Sequence, residues 1–477
     1  MAHNKLTYNL LKYSNELNFG HTYYFLKNIY KIVSKARLHI PGYNLNVPRL
    51  SPNEVTTVLR ANEYSHEFST GPVKSYETNQ LASNNPIEDT RAEAKCRTNN
   101  GYLFGVFDGH GGASCAQVVA RRLYQYLVAA TLPPDKLSSL LDEKENQLLE
   151  YYNNRDDFVD ELKTVYTESF LQYVRGLLSL NKTMETKEAL EHSFLRLDSD
   201  ISTEAEKIAD RKTISVAISG CVACVAAIDG NSLHVASTGD AGAVLGILSD
   251  TGKSWTAKKL SVEHNTDNRN EVDRILSEHP QEERLHILER ERLLGQLAPL
   301  RAFGDFSYKW PKEKLQKLAV PHYGSEVIPP YYKTPPYLTC KPEVTYKRLT
   351  PRDKFLVIAS DGLWDLLTPS QVVKMVGEHM SGKAALSPLR LPRDTKLSDV
   401  NKILSARKQG LDKVPVDRNA ATHLLRNALG GNDFGEVEHA RVSQLLSLPQ
   451  DVVRLFRDDI TVTVVYFDSD FITHVPM

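Results

Sequence analysis

The chain has 477 residues, 41% hydrophobic and 25% charged, with a formal net charge of -1. Those proportions are ordinary for a globular protein with a large core, and the near-neutral charge gives no global case for binding nucleic acid. Five cysteines, Cys96, Cys115, Cys221, Cys224 and Cys340, are too few and odd in number for a secreted disulfide scaffold. No run approaches the roughly 20 apolar residues that span a bilayer.

Up to residue 50 the chain carries Lys5, Lys12, Lys27, Lys31, Lys35, Arg37 and Arg49 against one acid, Glu16. Tyr23, Tyr24, Phe25, Ile29, Tyr30, Ile32 and Val33 offer an apolar face beside these lysines. A basic, acid-poor amphipathic leader over 1–48 reads as a mitochondrial transit segment, with a plain basic tail as the alternative. Ser51-Pro52-Asn53-Glu54 is a helix start, and Val55, Val58 and Leu59 give that helix one apolar face.

The run Tyr102–Phe107 predicts a strand ending at Asp108, followed by the turn Gly109-His110-Gly111-Gly112. Ala116, Val119, Ala120, Leu123, Leu127 and Val128 then recur at helical spacing. Leu137–Leu180 and Lys187–Glu206 are charged and helical in pattern. A meander follows: strands over 219–228 and 232–238 joined at Asp229-Gly230, then 242–248 and 254–260 joined at Asp250–Lys253. Cys221 and Cys224 have CxxC spacing, but residues three apart on a strand face opposite ways, so core packing is expected. Glu263–Glu291 is a charged helical region, and Trp310–Pro342, rich in Pro and Tyr, reads as a long ordered flap. Strands return at 344–349 and 355–359, with a helix at 369–380. Ser381–Arg418, with Lys383, Arg390, Arg393 and Lys396 among its many cations, has the character of an insertion. Helices at 420–429 and 437–446 precede the last strand, 460–467.

Four aspartates stand at the tips of four strand-like runs: Asp108, Asp240, Asp361 and Asp458. A carboxylate there sits between core and solvent, and several converging would repel one another unless a cation stood between them. Oxygen-only donors of this kind suit magnesium or manganese.

The segments Phe107–Gly112, Thr238-Gly239-Asp240, Arg301–Asp305, Ser360–Asp365 and Arg457-Asp458-Asp459, in that order, resemble the metal-dependent protein serine/threonine phosphatases of type 2C. Further segments, including Asn79–Ala82, Pro86–Asp89, Tyr337–Thr339, Asn419–Leu424 and Leu446–Pro449, are similar to the mitochondrial pyruvate dehydrogenase phosphatases within that family. The resemblance implies an α+β fold, two stacked antiparallel sheets flanked by helices in an αββα sandwich. One catalytic domain over 49–470 is expected, with insertions at about 311–342 and 381–418.

The same resemblance implies two Mg2+ or Mn2+ ions. Asp108 would bridge them, the Gly109 carbonyl would join one, and Asp361 and Asp458 would hold the other. Glu88 would act near the site through water, and Asp240 matches an acid linked in some members to a third divalent metal. A hydroxide held between the two ions would attack phosphoserine, and His110 matches the proposed general acid. Asp305 is expected to shape a loop. Asp365 and Asp459 are weaker ligand candidates by proximity, and His264 belongs to a structural turn. Two departures stand out. The stretch before Glu88-Asp89 is Ser83–Pro86 and lacks the usual phosphate-gripping arginine, leaving Asn84 or Asn85 for that role. The usual serine and arginine after Asp240 are Ala241 and Gly242.

The implied substrate is the phosphorylated pyruvate dehydrogenase alpha subunit in the mitochondrial matrix. The implied partners are the lipoyl domain of the dihydrolipoyl acetyltransferase core, with a calcium dependence, and a regulatory subunit. No EF-hand loop is present. A catalytically dead binding module and a phosphatase with another substrate remain the alternatives.

Overall fold

The computed structural model describes residues 49–142, 148–152, 162–386, 396–411, 415–432 and 436–474. The expected leader over 1–48 therefore lies outside the described residues. The strands are β1 (Tyr64–Glu67), β2 (Val73–Leu81), β3 (Thr90–Cys96), β4 (Tyr102–His110), β5 (Leu149–Tyr151), β6 (Gly220–Asp229), β7 (Ser232–Thr238), β8 (Gly242–Leu248) and β9 (Trp255–Lys259), then the two-residue β10 (Leu288–Glu289), β11 (Arg292–Leu293) and β12 (Phe303–Gly304), and finally β13 (Glu343–Arg348), β14 (Asp353–Ala359) and β15 (Ile460–Phe467). The longer helices are α1 (Pro52–Arg60), α2 (Ser114–Thr131), α3 (Pro134–Asp142), α4 (Lys163–Leu180), α5 (Thr186–Ile208), α6 (Arg211–Ile218), α7 (Arg269–Glu278), α8 (Pro369–Leu386), α9 (Leu397–Leu411), α10 (Ala420–Gly430) and α11 (His439–Leu446).

Two antiparallel sheets stack face to face. One runs β1-β2-β15-β14-β8-β9, the other β13-β7-β6-β4-β3-β5, with β12 paired to β6. Between them Tyr76, Phe104, Val106, Leu356, Ile358 and Val465 are buried in one core, and the rings of Tyr76 and Phe104 meet edge to face at 5.3 Å. On the outer face of the first sheet, Val55 and Leu59 of α1, Val372 and Val376 of α8, and Leu424 and Leu425 of α10 pack on Val357, Ala359, Val462 and Val464. Helices α2, α5 and α6 cover the other sheet. A sheet covered on both faces buries both alternating sets of side chains, so they are apolar or have their polar atoms paired. Ile460–Phe467 is accordingly buried throughout, with its two threonine hydroxyls satisfied inside: Thr461 Oγ1 accepts from Gln80 and Thr463 Oγ1 bonds Thr78. The result is the expected αββα sandwich.

The Ser51 start holds. Its side chain accepts from Glu54 N and its own N–H donates to Glu54 Oε2 at 2.7 Å, closing a capping box. Where described, the segment over 381–418 is more regular than its composition suggests. Helix α8 continues to Leu386 and α9 packs against it, with Arg407 donating to the Ala385 carbonyl at 3.0 Å. The flap over 311–342 contains two short helices, Lys312–Leu318 and Val320–Tyr323. All five cysteines are buried and unpaired, and Cys221 and Cys224 pack within β6.

Candidate active site at the sheet ends

Four acids reach the same end of the sandwich because the strands that carry them pair there. Ala359, the last residue of β14, lies opposite Gly242 of β8 and Val462 of β15. Asp240 precedes β8 by two residues, Asp361 follows β14 by two, and Asp458 precedes β15 by two, so one sheet end presents all three. Asp108 comes from the other sheet, near the end of β4 and opposite Val222 of β6. Beside it, a Cβ on Gly109 would lie 2.4 Å from the Glu88 carbonyl oxygen, so only glycine lets the Glu88–Asp89 chain pass so close to β4.

The electrostatics of this cluster are unfavourable by themselves. Burial and the charges of Asp89, Asp361 and Asp240 hold the Asp108 carboxyl well above the usual carboxylate range. Asp89, 2% exposed, is pushed up to about 7 by burial and by Asp459, against the hydroxyls of Ser360 and Thr461. Asp240 is also pushed up to about 7, first by burial and then by Asp361, while its backbone hydrogen bond and His110 oppose the shift. Asp89 Oδ2 is buried and has no hydrogen-bond partner. Mutually repelling acids with an orphaned buried oxygen, and no nitrogen or sulfur donor among them, make a donor set that fits a hard divalent cation.

The set is not closed into a ligand shell. Among the described residues no three such side chains stand together as ligands of one ion. Asp458 shows one reason: its Oδ1 pairs with Arg454 and accepts from Asp459 N at 2.7 Å. Glu88 sits at the rim, where its Oε1 accepts from Gly112 N at 2.7 Å and its Oε2 from Asn84 Nδ2 at 3.1 Å. Burial raises its carboxyl, with the Gly112 hydrogen bond and the Arg454 charge pulling the other way.

Asp459 does different work from its neighbour. It is 1% exposed and accepts from the backbone N–H groups of Ser83 at 2.5 Å, Asn84 at 2.9 Å and Glu88 at 2.8 Å, and from Asn84 Nδ2 at 3.0 Å. Its oxygens are spent on shaping the Ser83–Glu88 loop. Asn84 thus faces the acids, whereas Asn85 bonds Gln450 at an exposed position. Asp365 is exposed and acts on Asp240 through its charge. His264 is buried, held by Gly239, and lowered to about 4 by burial and by Arg301, as befits a structural turn.

His110 ends β4, with Nε2 2.5 Å from Asp305 Oδ2. Burial alone would lower its pKa, but the charge and hydrogen bond of Asp305, with Asp240 and Glu88 behind them, raise it. Sequence reasoning gave no role to Asp89 or Arg454. The Glu88-Asp89 pair carried the signal for Asp89. Arg454 carried none, because its place beside Asp458 and Glu88 depends on the turn at Val453–Leu455.

A family model described as Protein phosphatase 2C matches residues 133–398. The chain is 42% identical over 450 residues to [pyruvate dehydrogenase [acetyl-transferring]]-phosphatase 1, mitochondrial, of Bos taurus, covering 88% of this chain and 83% of that protein. The chain belongs to the protein phosphatase 2C family. It is also 41% identical to [pyruvate dehydrogenase [acetyl-transferring]]-phosphatase 2, mitochondrial, of Homo sapiens, covering 89% of this chain and 84% of that one. Phosphatase 1 of Saccharomyces cerevisiae, with the same substrate in its name, is 31% identical, covering 88% and 73%. Family membership puts the acid cluster in a metal-dependent setting, in keeping with its donor chemistry. Among the described residues no helix is long and apolar enough to cross a membrane.

Proposed function

We propose that this chain is a mitochondrial protein serine/threonine phosphatase that removes phosphate from the pyruvate dehydrogenase alpha subunit and so reactivates that complex. The observation that carries the reading is the convergence of Asp89, Asp108, Asp240 and Asp361, where the ionisation of Asp89, Asp108 and Asp240 is opposed by burial and by neighbouring acids, Asp361 among them. The names and identities of the curated relatives point to the substrate and to the mitochondrion. The intact acids speak against a catalytically silent binding module.

In this reading Asp108, the Gly109 carbonyl, Asp361 and Asp458 would hold two Mg2+ or Mn2+ ions. Glu88 and Asp89 would support that set, and Asp240 would hold a third ion. When bound, such ions lower the pKa of water toward neutrality and offset charge on phosphoryl oxygens. The protein's own groups do the rest. Asp458 would have to leave Arg454 to join that set. Asn84, fixed by Asp459 and Glu88, is the asparagine of the pair placed toward the phosphate side, while Asn85 is turned to Gln450. His110 gives its proton to the departing serine oxygen.

The remaining assignments belong to the same reading. Residues 1–48 form a transit leader to the matrix. Residues 49–470 form one catalytic domain with insertions at about 311–342 and 381–418. The cationic segment over 381–418 contributes to docking on the lipoyl domain of the acetyltransferase core, with a calcium dependence, and a regulatory subunit is a separate partner. The test is phosphate release from phosphorylated pyruvate dehydrogenase by the purified chain with magnesium, with and without acetyltransferase core. Release that needs magnesium is expected. No release from that substrate, with release from other phosphoproteins, would reassign the substrate.

A further inference from the structure

Asp305 was expected only to shape a loop, yet its carboxylate reaches across to the sheet end and meets His110. The Nε2–Oδ2 distance is 2.5 Å, and the His110 side chain is 25% exposed while that of Asp305 is 6% exposed. A buried carboxylate thus backs an imidazole that solvent and substrate can reach. We infer that Asp305 is a positioning residue for the reaction: it fixes the orientation of the His110 ring and its tautomer. The inference rests on the reading of His110 as proton donor.

Three features of the structure show a pair built to stay together. First, Asp305 is anchored on every side. Its N–H donates to the Ser219 carbonyl at 3.0 Å, and the preceding Phe303–Gly304 pairs with Cys221 and Gly220 of β6. Gly304 N donates to Asp198 Oδ1 at 2.9 Å, and Asp198 also pairs with buried Lys309 at 2.8 Å. Second, Asp305 adopts the left-handed conformation, with φ +51. For a residue with a Cβ that conformation is unfavourable, and it persists only where surrounding contacts over-determine it. Third, the space between the partners is kept clear. A Cβ on Gly220 would lie 2.0 Å from His110 Nε2 and 2.2 Å from Asp305 Oδ2.

With Nε2–H donating to Asp305, Nδ1 is the nitrogen left to exchange a proton. As the phosphorus–oxygen bond to serine breaks, its electron pair passes to the serine oxygen, which takes the proton from Nδ1. Water supplies the oxygen that joins phosphorus, and its proton returns to His110 through solvent. The neutral imidazole keeps Nε2–H on Asp305 throughout, so the ring does not turn between cycles.

A serine alkoxide cannot leave without a proton, whereas p-nitrophenolate can. The test compares kcat/KM on a phosphoserine peptide and on p-nitrophenyl phosphate for wild type, His110→Gln, Asp305→Asn and the double variant. Asp305→Asn should lower the phosphoserine rate by about 10²-fold more than the aryl rate, the low end of general-acid effects. The double variant should be no worse than His110→Gln, because the two act as one unit. Gly220→Ala, which wedges the pair apart without changing charge, should shift the ratio the same way. Equal loss on both substrates from Asp305→Asn would overturn the inference and leave a structural role. So would full phosphoserine activity in Asp305→Asn alongside a selective loss in His110→Gln. If His110→Gln itself shows no selectivity, the proton-donor reading fails rather than the pairing. Thermal unfolding of each variant separates misfolding from misplacement, and Gly220→Ala decides the matter if Asp305→Asn does not fold.

Discussion

Replacing Asp89 by asparagine should make the metal-free protein more stable while impairing it as a catalyst. Asp89 is 2% exposed, and burial and Asp459 raise its carboxyl from 3.8 to about 7. A shift of about three units corresponds to roughly 4 kcal/mol of stability withheld when the group is ionised. Because the cluster shares its protons, about half of that is a fair lower bound, giving roughly 2–4 kcal/mol. The sign follows from linkage. The folded state holds the proton more tightly, so below pH 4 the group is protonated in both states and withholds nothing. The loss develops as pH rises from about 4 to 7 and is complete above that. Asparagine has the same shape and no charge to bury. For a chain of 477 residues the unfolding entropy is about 1 kcal/mol/K, so the variant should melt roughly 2–4 °C higher at pH 8 in chelator. At pH 4 the two proteins should melt together. Saturating magnesium should narrow or reverse the gap at pH 8, because a cation offsets the repulsion only where the carboxylate remains. Scanning calorimetry at several pH values, with chelator and with magnesium, provides the check. A variant that is less stable at pH 8 in chelator, or a gap that ignores pH, would refute the reasoning.

Asp108→Asn should lower phosphate release by more than about 10²-fold while leaving the far-ultraviolet circular dichroism spectrum unchanged, since it removes charge-offsetting chemistry and not core. Arg454→Ala frees Asp458 from a partly exposed ion pair, worth about 0.5–1 kcal/mol, so half-activation should need roughly two- to five-fold less magnesium. A magnesium titration that shows an unchanged requirement would remove Arg454 as a competitor. Asp417→Ala removes the carboxylate that pairs at 2.7 Å with buried Arg426 of α10, leaving it, among the described residues, only the Thr56 hydroxyl of α1, and should cost about 3–5 kcal/mol in denaturant unfolding. His423, lowered to about 4 by burial and by neighbouring His379, stays neutral in the fold. The unfolded chain takes up its proton first, so this residue should withdraw stability as pH falls from about 6.5 toward 4, and His423→Phe should flatten that slope.

Much of this architecture was legible because it is written locally. The runs ending in Asp108 and Asp361 are mainly apolar, and the run opened by Asp458 breaks its apolar pattern only at Thr461 and Thr463, since the sandwich covers both faces of each sheet. The hairpins at Asp229-Gly230 and Asp250–Lys253 fixed the antiparallel connections. The capping box at Ser51 and Glu54 needed only four residues. What escaped was whatever depends on distant segments meeting. The partner of His110 comes 195 residues later in sequence, and nothing in Arg301–Asp305 alone says that Asp305 turns toward it. Asp458 and Asp459 are adjacent and chemically identical, yet one faces Arg454 and the other is consumed by the Ser83–Glu88 loop. Only the register of β15 against β2, with Ile460 opposite Leu81, separates them. The helices over 381–386 and 397–411 were hidden by a cationic composition that suits a loop and a solvated helix equally.

The most direct test of the acid cluster is equilibrium Mn2+ binding, followed by the paramagnetic signal of free Mn2+, in wild type, Asp108→Asn and Asp361→Asn, with phosphate release measured on the same samples. Two ions are expected in the wild type, with release that tracks their occupancy, and weakened binding together with lost release in both variants. Wild-type release that persists in chelator, or variants that bind Mn2+ as the wild type does and still release phosphate, would contradict the assignment of these acids as the metal site.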